Sequence, residues 1–314
     1  MKVLVVGSTG FIGSHIMEYL CRNTKNDINI IATTRNIEKA KKFTWFNDKK
    51  VNIIEFDILQ TNSDVYDRLK RPDIMIHLAW DGLQDYKNIN HIERNLYENY
   101  FFIRDMIHGG LKDLTFTGTC FEYGIKNGPL SEYMETDPIT QYAVAKDSLR
   151  RFLQELQKIK NFNLKWLRLF YVYGNGQSPK SLLSQLNKAI NNNEKAFNMS
   201  GGEQLRDYLP VEKLSEYIIK VAFQNKITGI INCCSGKPIS IRNLVENYIK
   251  EKNADIKLNF GYYPYPDYEP MAFWGDDSKL RNNLTFWGKE CSNYAVFKLQ
   301  NCEEVPKSGN RIPS

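Results

Sequence analysis

A tyrosine and a lysine four residues apart carry the clearest chemical signal in this sequence. Tyr142 and Lys146 stand in the stretch Tyr-Ala-Val-Ala-Lys, and on a helix this spacing puts both side chains on one face. A lysine beside a phenol favours the phenolate and lowers the pKa of the phenol, so the tyrosine can exchange a proton with a carbonyl or hydroxyl oxygen near neutral pH. Thr119 ends an earlier apolar stretch, and its hydroxyl can hold the same oxygen. On its own the spacing is also that of an ordinary surface pair.

A glycine-rich turn at the amino terminus predicts a dinucleotide site. The turn directly follows a short apolar strand and opens a helix, which is the setting in which a glycine motif is informative. Its glycines allow a tight turn, a close approach to pyrophosphate and packing of helix on strand, while the amino end of the helix offers free N–H groups. We expect a pyrophosphate to contact Gly7, Thr9, Gly10, Phe11, Ile12 and Gly13. A glycine turn that binds nothing is the alternative.

The end of the second strand bears on the choice of coenzyme. An acid there usually holds the adenosine ribose of NAD, whereas an arginine accommodates the 2'-phosphate of NADP. This strand ends with Thr34-Arg35 and has no acid. The sequence therefore favours NADP(H), with NAD(H) still possible, and Arg35 is otherwise a surface charge. Asp57, after the third strand, is expected to contact the adenine or to cap a helix.

The hydrophobic pattern predicts alternating strands and helices, which are the elements needed to position these residues. Apolar runs of strand length occur at Lys2–Val6, Ile28–Thr33, Val51–Phe56, Ile74–Ala79, Leu114–Gly118 and Leu164–Phe170. Helical spacing occurs at Phe11–Arg22, Asn88–Ile107 and Gln141–Lys158. This order predicts an α/β fold, a Rossmann-type doubly wound parallel sheet with helices on both faces.

The pattern changes after residue 173. Helices are predicted at Ser181–Asn192, Val211–Gln224 and Ile241–Lys250, with short strands between them and an aromatic stretch at Gly261–Trp274. We predict a dinucleotide-binding domain over residues 1–173, an interleaved, smaller, mixed substrate lobe over 174–298 and an irregular tail over 299–314.

Composition excludes several classes of protein. The 314 residues include 42 Lys and Arg against 36 Asp and Glu, dispersed rather than clustered, which argues against a nucleic-acid partner and suits a small anionic ligand. No apolar run reaches the roughly 18 residues of a membrane helix, and no basic leader is present, so we expect a cytoplasmic protein without membrane contact. The six cysteines lack ligand spacing, so we expect reduced thiols and no metal.

Together the motifs resemble the extended short-chain dehydrogenase/reductase family, which includes nucleotide-sugar epimerases, dehydratases and 4-ketoreductases. The resemblance covers about residues 1–280. Besides the glycine turn and the Thr119, Tyr142 and Lys146 set, it rests on His77-Leu78-Ala79, Asn95, Tyr123-Gly124, Arg168–Gly174 and Arg206-Asp207-Tyr208.

This resemblance implies roles for residues. It makes Thr119, Tyr142 and Lys146 catalytic, with Tyr142 and Lys146 also touching the coenzyme. Further coenzyme contacts are expected from Ile58, Leu78, Ala79, Trp80 and Asn95. For a nucleotide-sugar substrate we predict contacts from Trp80, Cys120, Phe121, Glu122, Tyr171, Lys180, Gln204 and Arg206, with Arg206 on the diphosphate. Tyr171 replaces a usual Asn, Cys120 also fits a packing thiol, and Glu122 also fits a solvated acid.

Departures from the family pattern narrow the reaction. Dehydratases carry Asp-Glu after the catalytic threonine, and decarboxylating relatives carry a carboxylate at the position of Phe121, whereas this chain has Cys120-Phe121. We therefore expect NAD(P)H-dependent reduction at C4 of a nucleotide-linked 4-keto-6-deoxyhexose, in deoxysugar biosynthesis for a surface glycan. A 4-epimerase is the alternative. A non-catalytic NADP-binding sensor, which is expected to lack Tyr142 or Lys146, is a remote one.

Two further expectations concern surfaces. The helices at Asn88–Ile107 and Gln141–Lys158 correspond to the pair that forms a four-helix dimer interface in many relatives, so we expect a homodimer. The aromatic run from Tyr262 to Trp274 is either a sugar-stacking lid or the core of the lobe.

Overall fold

Seven parallel strands form the central sheet of the computed structural model, which describes residues 1–24 and 27–284. They are β1 (Lys2–Val6), β2 (Asn29–Thr34), β3 (Val51–Glu55), β4 (Ile74–His77), β5 (Asp113–Thr119), β7 (Asn163–Leu169) and β11 (Gly229–Cys233). Their order is β11-β7-β5-β4-β1-β2-β3, and all neighbours are parallel. All seven residues of β5 are buried, as expected for a strand covered on both faces. This confirms the predicted Rossmann-type sheet.

Short strands outside this sheet build the smaller lobe. They are β6 (Gly128–Leu130), β8 (Tyr171–Tyr173), β9 (Ala196–Asn198), β10 (Leu205–Pro210), β12 (Pro238–Ser240), β13 (Lys257–Asn259) and β14 (Phe273–Gly275). They pair as β12-β10-β8, β13-β9 and β14-β6. Because β11 follows the first lobe elements yet pairs with β7, the two parts are interleaved along the chain. The boundary at residue 173 stays a prediction, and the predicted tail lies outside the described residues.

Helices cover the two faces of the sheet with separate apolar cores. They are α1 (Phe11–Asn23), α2 (Ile37–Ala40), α3 (Val65–Arg68), α4 (Leu96–Gly109), α5 (Gln141–Ile159), α6 (Leu182–Asn191), α7 (Val211–Ala222), α8 (Ile241–Glu251) and α9 (Ser278–Leu284). On one face α1 packs beside α7, and on the other α4 packs beside α5. Burial of these amphipathic faces stabilises the fold by roughly 25 cal/mol per Å² of apolar surface. No helix within residues 1–24 and 27–284 is both long and apolar enough to span a membrane.

The helix expected from Asn88 starts later than predicted. Residues His91–Asn95 form a π-helical turn, and α4 begins only at Leu96. The side chains of Asp85 and Asn88 accept from Lys87 N and Asn90 N, at 3.0 and 2.9 Å, and so hold local turns that compete with helix formation. The segment from 80 to 90, which we call the β4 loop, therefore stays outside the helix, and its first residues line a cavity at the carboxyl edge of the sheet.

Candidate active site

The glycine turn lies where the strand order reverses. Val6, the last residue of β1, pairs with Thr33 of β2 on one side and His77 of β4 on the other. The segments that follow these three strands therefore meet at one edge of the sheet, at the switch point where such sheets bind ligands.

The backbone of this turn fits a pyrophosphate. Gly7 has φ +86°, and a Cβ at Gly13 would lie 2.1 Å from the Gly7 carbonyl oxygen, so neither position tolerates a side chain. No side chain caps the start of α1, and its first N–H groups are left for a ligand. Asn99 of α4 adds a buried Oδ1 with no partner among the described residues. Turn, helix and orphan acceptor together form a dinucleotide cradle.

The expected coenzyme residues, apart from Tyr142 and Lys146, line one cavity of about 300 Å³. It is lined by Gly7, Thr9, Gly10, Phe11, Ile12, Gly13, Thr34, Arg35, Asp57, Ile58, Leu78, Ala79, Trp80 and Asn95. The side chain of Asp57 also caps a short 3-10 helix by accepting from Leu59 N at 3.1 Å, so both roles considered for Asp57 are compatible. Sequence reasoning missed Asp81, Glu98 and Asn99, which line the same cavity.

Arg35 is engaged by a carboxylate that the sequence did not indicate. Its Nη1 and Nη2 donate to Oδ2 and Oδ1 of Asp81 at 2.7 and 2.8 Å. Asp81 belongs to the β4 loop, so this ion pair joins the segments that follow β2 and β4, both of which line the cavity. The free guanidinium on which the NADP(H) prediction depended is thus occupied, and that prediction is not confirmed.

The catalytic candidates are brought together by β5 and α5. Thr119 ends β5 and caps the 3-10 helix Cys120–Tyr123, with Oγ1 accepting from Phe121 N at 3.3 Å. Thr140 caps α5 by accepting from Ala143 N, which fixes Tyr142 in the first turn of that helix. The Thr119 hydroxyl adjoins the Tyr142 phenol and lowers its pKa.

Lys146 lies close to Tyr142, with Nζ 5.8 Å from the centre of the Tyr142 ring. Its Nζ donates to Thr117 O at 2.8 Å and lies 4.0 Å from the centre of the Trp80 ring, which borders the coenzyme cavity. The structure therefore brings Thr119, Tyr142 and Lys146 to one place, next to that cavity.

The pKa shifts of Tyr142 and Lys146 differ from the sequence expectation. Burial raises the pKa of Tyr142 well above 10, and the neighbouring Thr119 hydroxyl only partly offsets this. Burial lowers the pKa of Lys146 to about 7. Desolvation disfavours both charged forms, so the expectation that Lys146 depresses the pKa of the phenol is wrong for this arrangement. The phenol is held in its protonated form.

Aromatic rings surround the phenol. Tyr86 of the β4 loop stacks on Tyr142, with ring centres 5.1 Å apart, and Phe121 and Tyr268 meet Tyr86 edge to face. Trp80 meets Tyr142 edge on, at 6.1 Å. These rings form an apolar wall suited to the faces of a sugar. Tyr86 was missed because it comes from a loop without a period, whereas Tyr268 belongs to the aromatic run considered as a sugar-stacking lid.

His91 fixes the orientation of Trp80. Its Nδ1 accepts from Trp80 Nε1 at 3.1 Å and from Asn95 Nδ2 at 3.2 Å, so the proton resides on Nε2, which donates to Asp85 O at 2.9 Å. Burial lowers the pKa of His91. A neutral histidine therefore ties the β4 loop to the first turn before α4.

Glu122 is a structural residue, contrary to its predicted place in the substrate site. It is fully buried and accepts from Thr119 N, Trp166 Nε1 and Arg168 Nε at 2.9, 2.9 and 2.7 Å. All of these donors are protein groups, so the carboxylate braces the end of β5 against β7 and is not presented to a substrate.

Arg206 is also engaged by an acid. The side chain is 2% exposed, and its Nη2 and Nε donate to Glu269 Oε2 at 2.8 and 3.2 Å. Its guanidinium lies 4.6 Å from the centre of the Phe273 ring and 5.8 Å from that of Tyr171. A ligand that uses Arg206 must therefore compete with Glu269.

The other predicted substrate residues fall into two groups. Cys120 and Gln204 are buried, and Tyr171 has a buried hydroxyl with no partner among the described residues; Phe121 meets the Tyr171 ring edge to face. Lys180 lies exposed in the turn before α6. Tyr262, Tyr263 and Tyr265 are exposed, so this part of the aromatic run is not lobe core.

The fold and cradle are those of a dinucleotide-binding protein of the Rossmann class, and comparison with known proteins identifies the family. Residues 3–234 match the model of the NAD dependent epimerase/dehydratase family, and the chain belongs to that family. It is an NAD(P)-dependent oxidoreductase that acts on a CH–OH group.

Named relatives include both dehydrogenases and epimerases. The chain is 28% identical to dTDP-6-deoxy-L-talose 4-dehydrogenase (NAD(+)) of Aggregatibacter actinomycetemcomitans, over 88% of this chain and 99% of that protein. It is 27% identical to GDP-6-deoxy-D-talose 4-dehydrogenase of the same organism, over 90% and 91%. The solved UDP-N-acetylglucosamine 4-epimerase from Methanobrevibacter ruminantium M1 superposes with a TM-score of 0.79 at 24% identity, over 89% of this chain and 90% of that one.

Proposed function

We propose that this protein reduces the C4 keto group of a nucleotide-diphosphate-linked 4-keto-6-deoxyhexose, or catalyses the reverse dehydrogenation. The observation that carries the proposal is the protonated Tyr142 beside Thr119, in a pocket where Cys120 and Phe121 replace any acid. Such a site can protonate a developing alkoxide, but neither residue that follows Thr119 carries a carboxylate to eliminate water, and the Glu122 carboxylate is taken up by Thr119 N, Trp166 and Arg168. The 6-deoxytalose 4-dehydrogenase relatives carry out chemistry of this type by name.

The mechanism assigns a step to each residue. A bound nicotinamide supplies the hydride when reduced. Thr119 and Tyr142 hold the substrate oxygen, and the Tyr142 hydroxyl passes its proton to that oxygen as negative charge develops. Lys146, with its pKa near 7, returns a proton to the Tyr142 phenol and orients the coenzyme ribose. Arg206 takes the diphosphate once Glu269 has released it.

The coenzyme proposed is NAD(H). Arg35 is engaged by Asp81, and the dTDP-6-deoxy-L-talose relative is named as an NAD(+) enzyme. Oxidation of NADH and NADPH at 340 nm, with a panel of dTDP-, CDP-, GDP- and UDP-linked 4-keto-6-deoxyhexoses, tests coenzyme and reaction together. Turnover of one such sugar with NADH is expected. Absence of turnover with every member of the panel would contradict the proposal.

A 4-epimerase is the second candidate, favoured by the Arg35–Asp81 ion pair in the lining of the coenzyme cavity. An epimerase regenerates its coenzyme in every cycle, so retention of a bound coenzyme suits it. Coenzyme that copurifies with the protein, together with interconversion of C4 epimers without added coenzyme, would replace the reductase by the epimerase.

A further inference from the structure

We infer that Asp81, from the β4 loop, makes the cleft selective for NAD(H) over NADP(H) by engaging Arg35. The inference rests on the proposed function, since it needs a dinucleotide in the cavity. Selectivity for NAD normally comes from an acid at the end of the second strand, and this chain has Thr34-Arg35 there. Asp81 brings the missing carboxylate to the same end of the cavity from the other side of the glycine turn.

The geometry of the pair explains why Arg35 does not serve a 2'-phosphate. Both terminal nitrogens of Arg35 face the two oxygens of Asp81, at 2.7 and 2.8 Å. A guanidinium uses this same two-pronged arrangement to hold a phosphate. A 2'-phosphate in contact with Arg35 must therefore displace Asp81, which would then lie beside it as an unpaired like charge.

Further carboxylates reinforce this effect. Asp57 and Glu98 line the same cavity as Asp81, and Arg94 pairs with Glu98 through a bond of 2.6 Å. The hydrogen bonds that Arg35 donates to Asp81 raise the pKa of Arg35, and the charges of Asp57 and Glu98 raise it further, which places all three acids within electrostatic reach of the guanidinium. Lys39 is a second cation of this lining. A phosphate bearing about two negative charges therefore meets no excess of positive charge there.

Exposure sets the size of the effect. The side chains of Arg35 and Asp81 are 57% and 46% exposed, so solvent screens the pair and one neutral substitution suffices to release the arginine. We expect a preference of about tenfold rather than absolute exclusion, because exposed charges interact weakly in water.

The experiment measures coenzyme binding directly, without a sugar. NAD+ and NADP+ are titrated separately into the wild-type protein and Asp81→Asn, and quenching of tryptophan fluorescence gives each Kd, since Trp80 lines the cavity. The asparagine variant should bind NADP+ about tenfold more tightly while the Kd for NAD+ changes less than about threefold. Adding Arg35→Ala to this variant should abolish the gain.

A matched control removes an equivalent charge elsewhere. Asp67 forms an exposed ion pair with Arg71. A few residues on, Asp73 accepts from Lys2 N at the start of β1, so this part of the chain lies at the edge of the sheet opposite the coenzyme cavity. Asp67→Asn should leave both coenzyme affinities as in the wild type. An unchanged ratio in Asp81→Asn, or a wild-type preference for NADP+, overturns the inference alone. Failure of the wild type to bind either coenzyme overturns the proposed function, and the inference with it.

Discussion

Tyr142 and Lys146 lie in surroundings that oppose charge on either side chain. Tyr142 is 9% exposed and Lys146 2%, and both contact the Trp80 ring, with Lys146 Nζ only 4.0 Å from its centre. The spacing of four residues could be predicted from the sequence because helical geometry sets it. The direction of the pKa shifts could not, because it depends on rings contributed by distant segments.

Replacement of Tyr142 by Phe tests the proton donor. The substitution keeps the ring stacked on Tyr86 but removes the hydroxyl, so turnover should fall at least about a hundredfold. The coenzyme affinity, measured by fluorescence, should stay within about twofold, because the cavity is unaltered. Tyr133→Phe, at a residue that is 93% exposed, is the control. Full activity of the Tyr142 variant would exclude the assignment.

The pKa of Lys146 predicts how stability varies with pH. The folded pKa is about 7, below the value of about 10.4 expected in the unfolded chain, so between these values the unfolded state binds more protons. Stability from this residue therefore rises with pH across that window, by at most about 1.4 kcal/mol per pH unit. In urea unfolding from pH 7 to 9.5, the free energy of unfolding of the wild type should rise relative to that of Lys146→Met. Lys158→Met is the control for loss of a charge. A constant difference would refute the shift.

At the scale of elements, strands with a hydrophobic period were predictable and the loops that complete the site were not. The glycine turn follows from a strand, a turn and a helix that are contiguous in the chain. Arg35 and Asp81 are 46 residues apart, and Arg206 and Glu269 are 63 apart, so no local pattern links either pair. Glu122 was misassigned because a capping acid in a 3-10 turn looks in sequence like an exposed loop residue.

The Glu122 network should matter for stability rather than for substrate binding. Glu122→Gln leaves the buried Arg168 without its carboxylate, and loss of one partner of a buried pair costs about 3 kcal/mol. Urea unfolding should show that loss while the KM of the folded enzyme is largely kept. Glu135→Gln, at an exposed residue of the following loop, controls for the charge. Unchanged stability with a raised KM would restore the substrate role.

Glu269, in the segment before β14, pairs with Arg206, the residue proposed to bind the diphosphate. Glu269→Gln removes this competitor, so the KM for the nucleotide sugar should fall about threefold to tenfold. Steady-state kinetics at saturating coenzyme measures this, with Asp255→Asn, on the lobe surface, as the matched loss of charge. A higher KM would mean that Glu269 itself binds the sugar.

At the scale of the whole molecule, α4 and α5 present apolar side chains to solvent. Tyr97, Phe101, Phe152 and Ile159 are 47%, 42%, 39% and 75% exposed, and Tyr100 meets Phe152 edge to face between the two helices. A contiguous apolar face of this kind is typical of a subunit interface. It is the surface on which we predict a homodimer.

Phe101→Glu tests this surface. A charge at the centre of the face should disfavour association, so sedimentation should change from a dimer for wild type to a monomer for the variant. Ile125→Glu alters a similarly exposed side chain outside these helices and should stay dimeric. A monomeric wild type would refute the prediction.

The pairing of α1 with α7 has a consequence for how the protein is made. These helices share one core, with Ile16 and Leu20 on one side and Leu214 and Ile218 on the other, yet they begin about 200 residues apart. At about 5 to 20 residues per second, a ribosome needs about 10 to 40 s to synthesise the intervening chain. For that time the amino-terminal strand and helix emerge without their cover, so the nascent chain exposes an apolar face to chaperones until the first part of its last third has been translated.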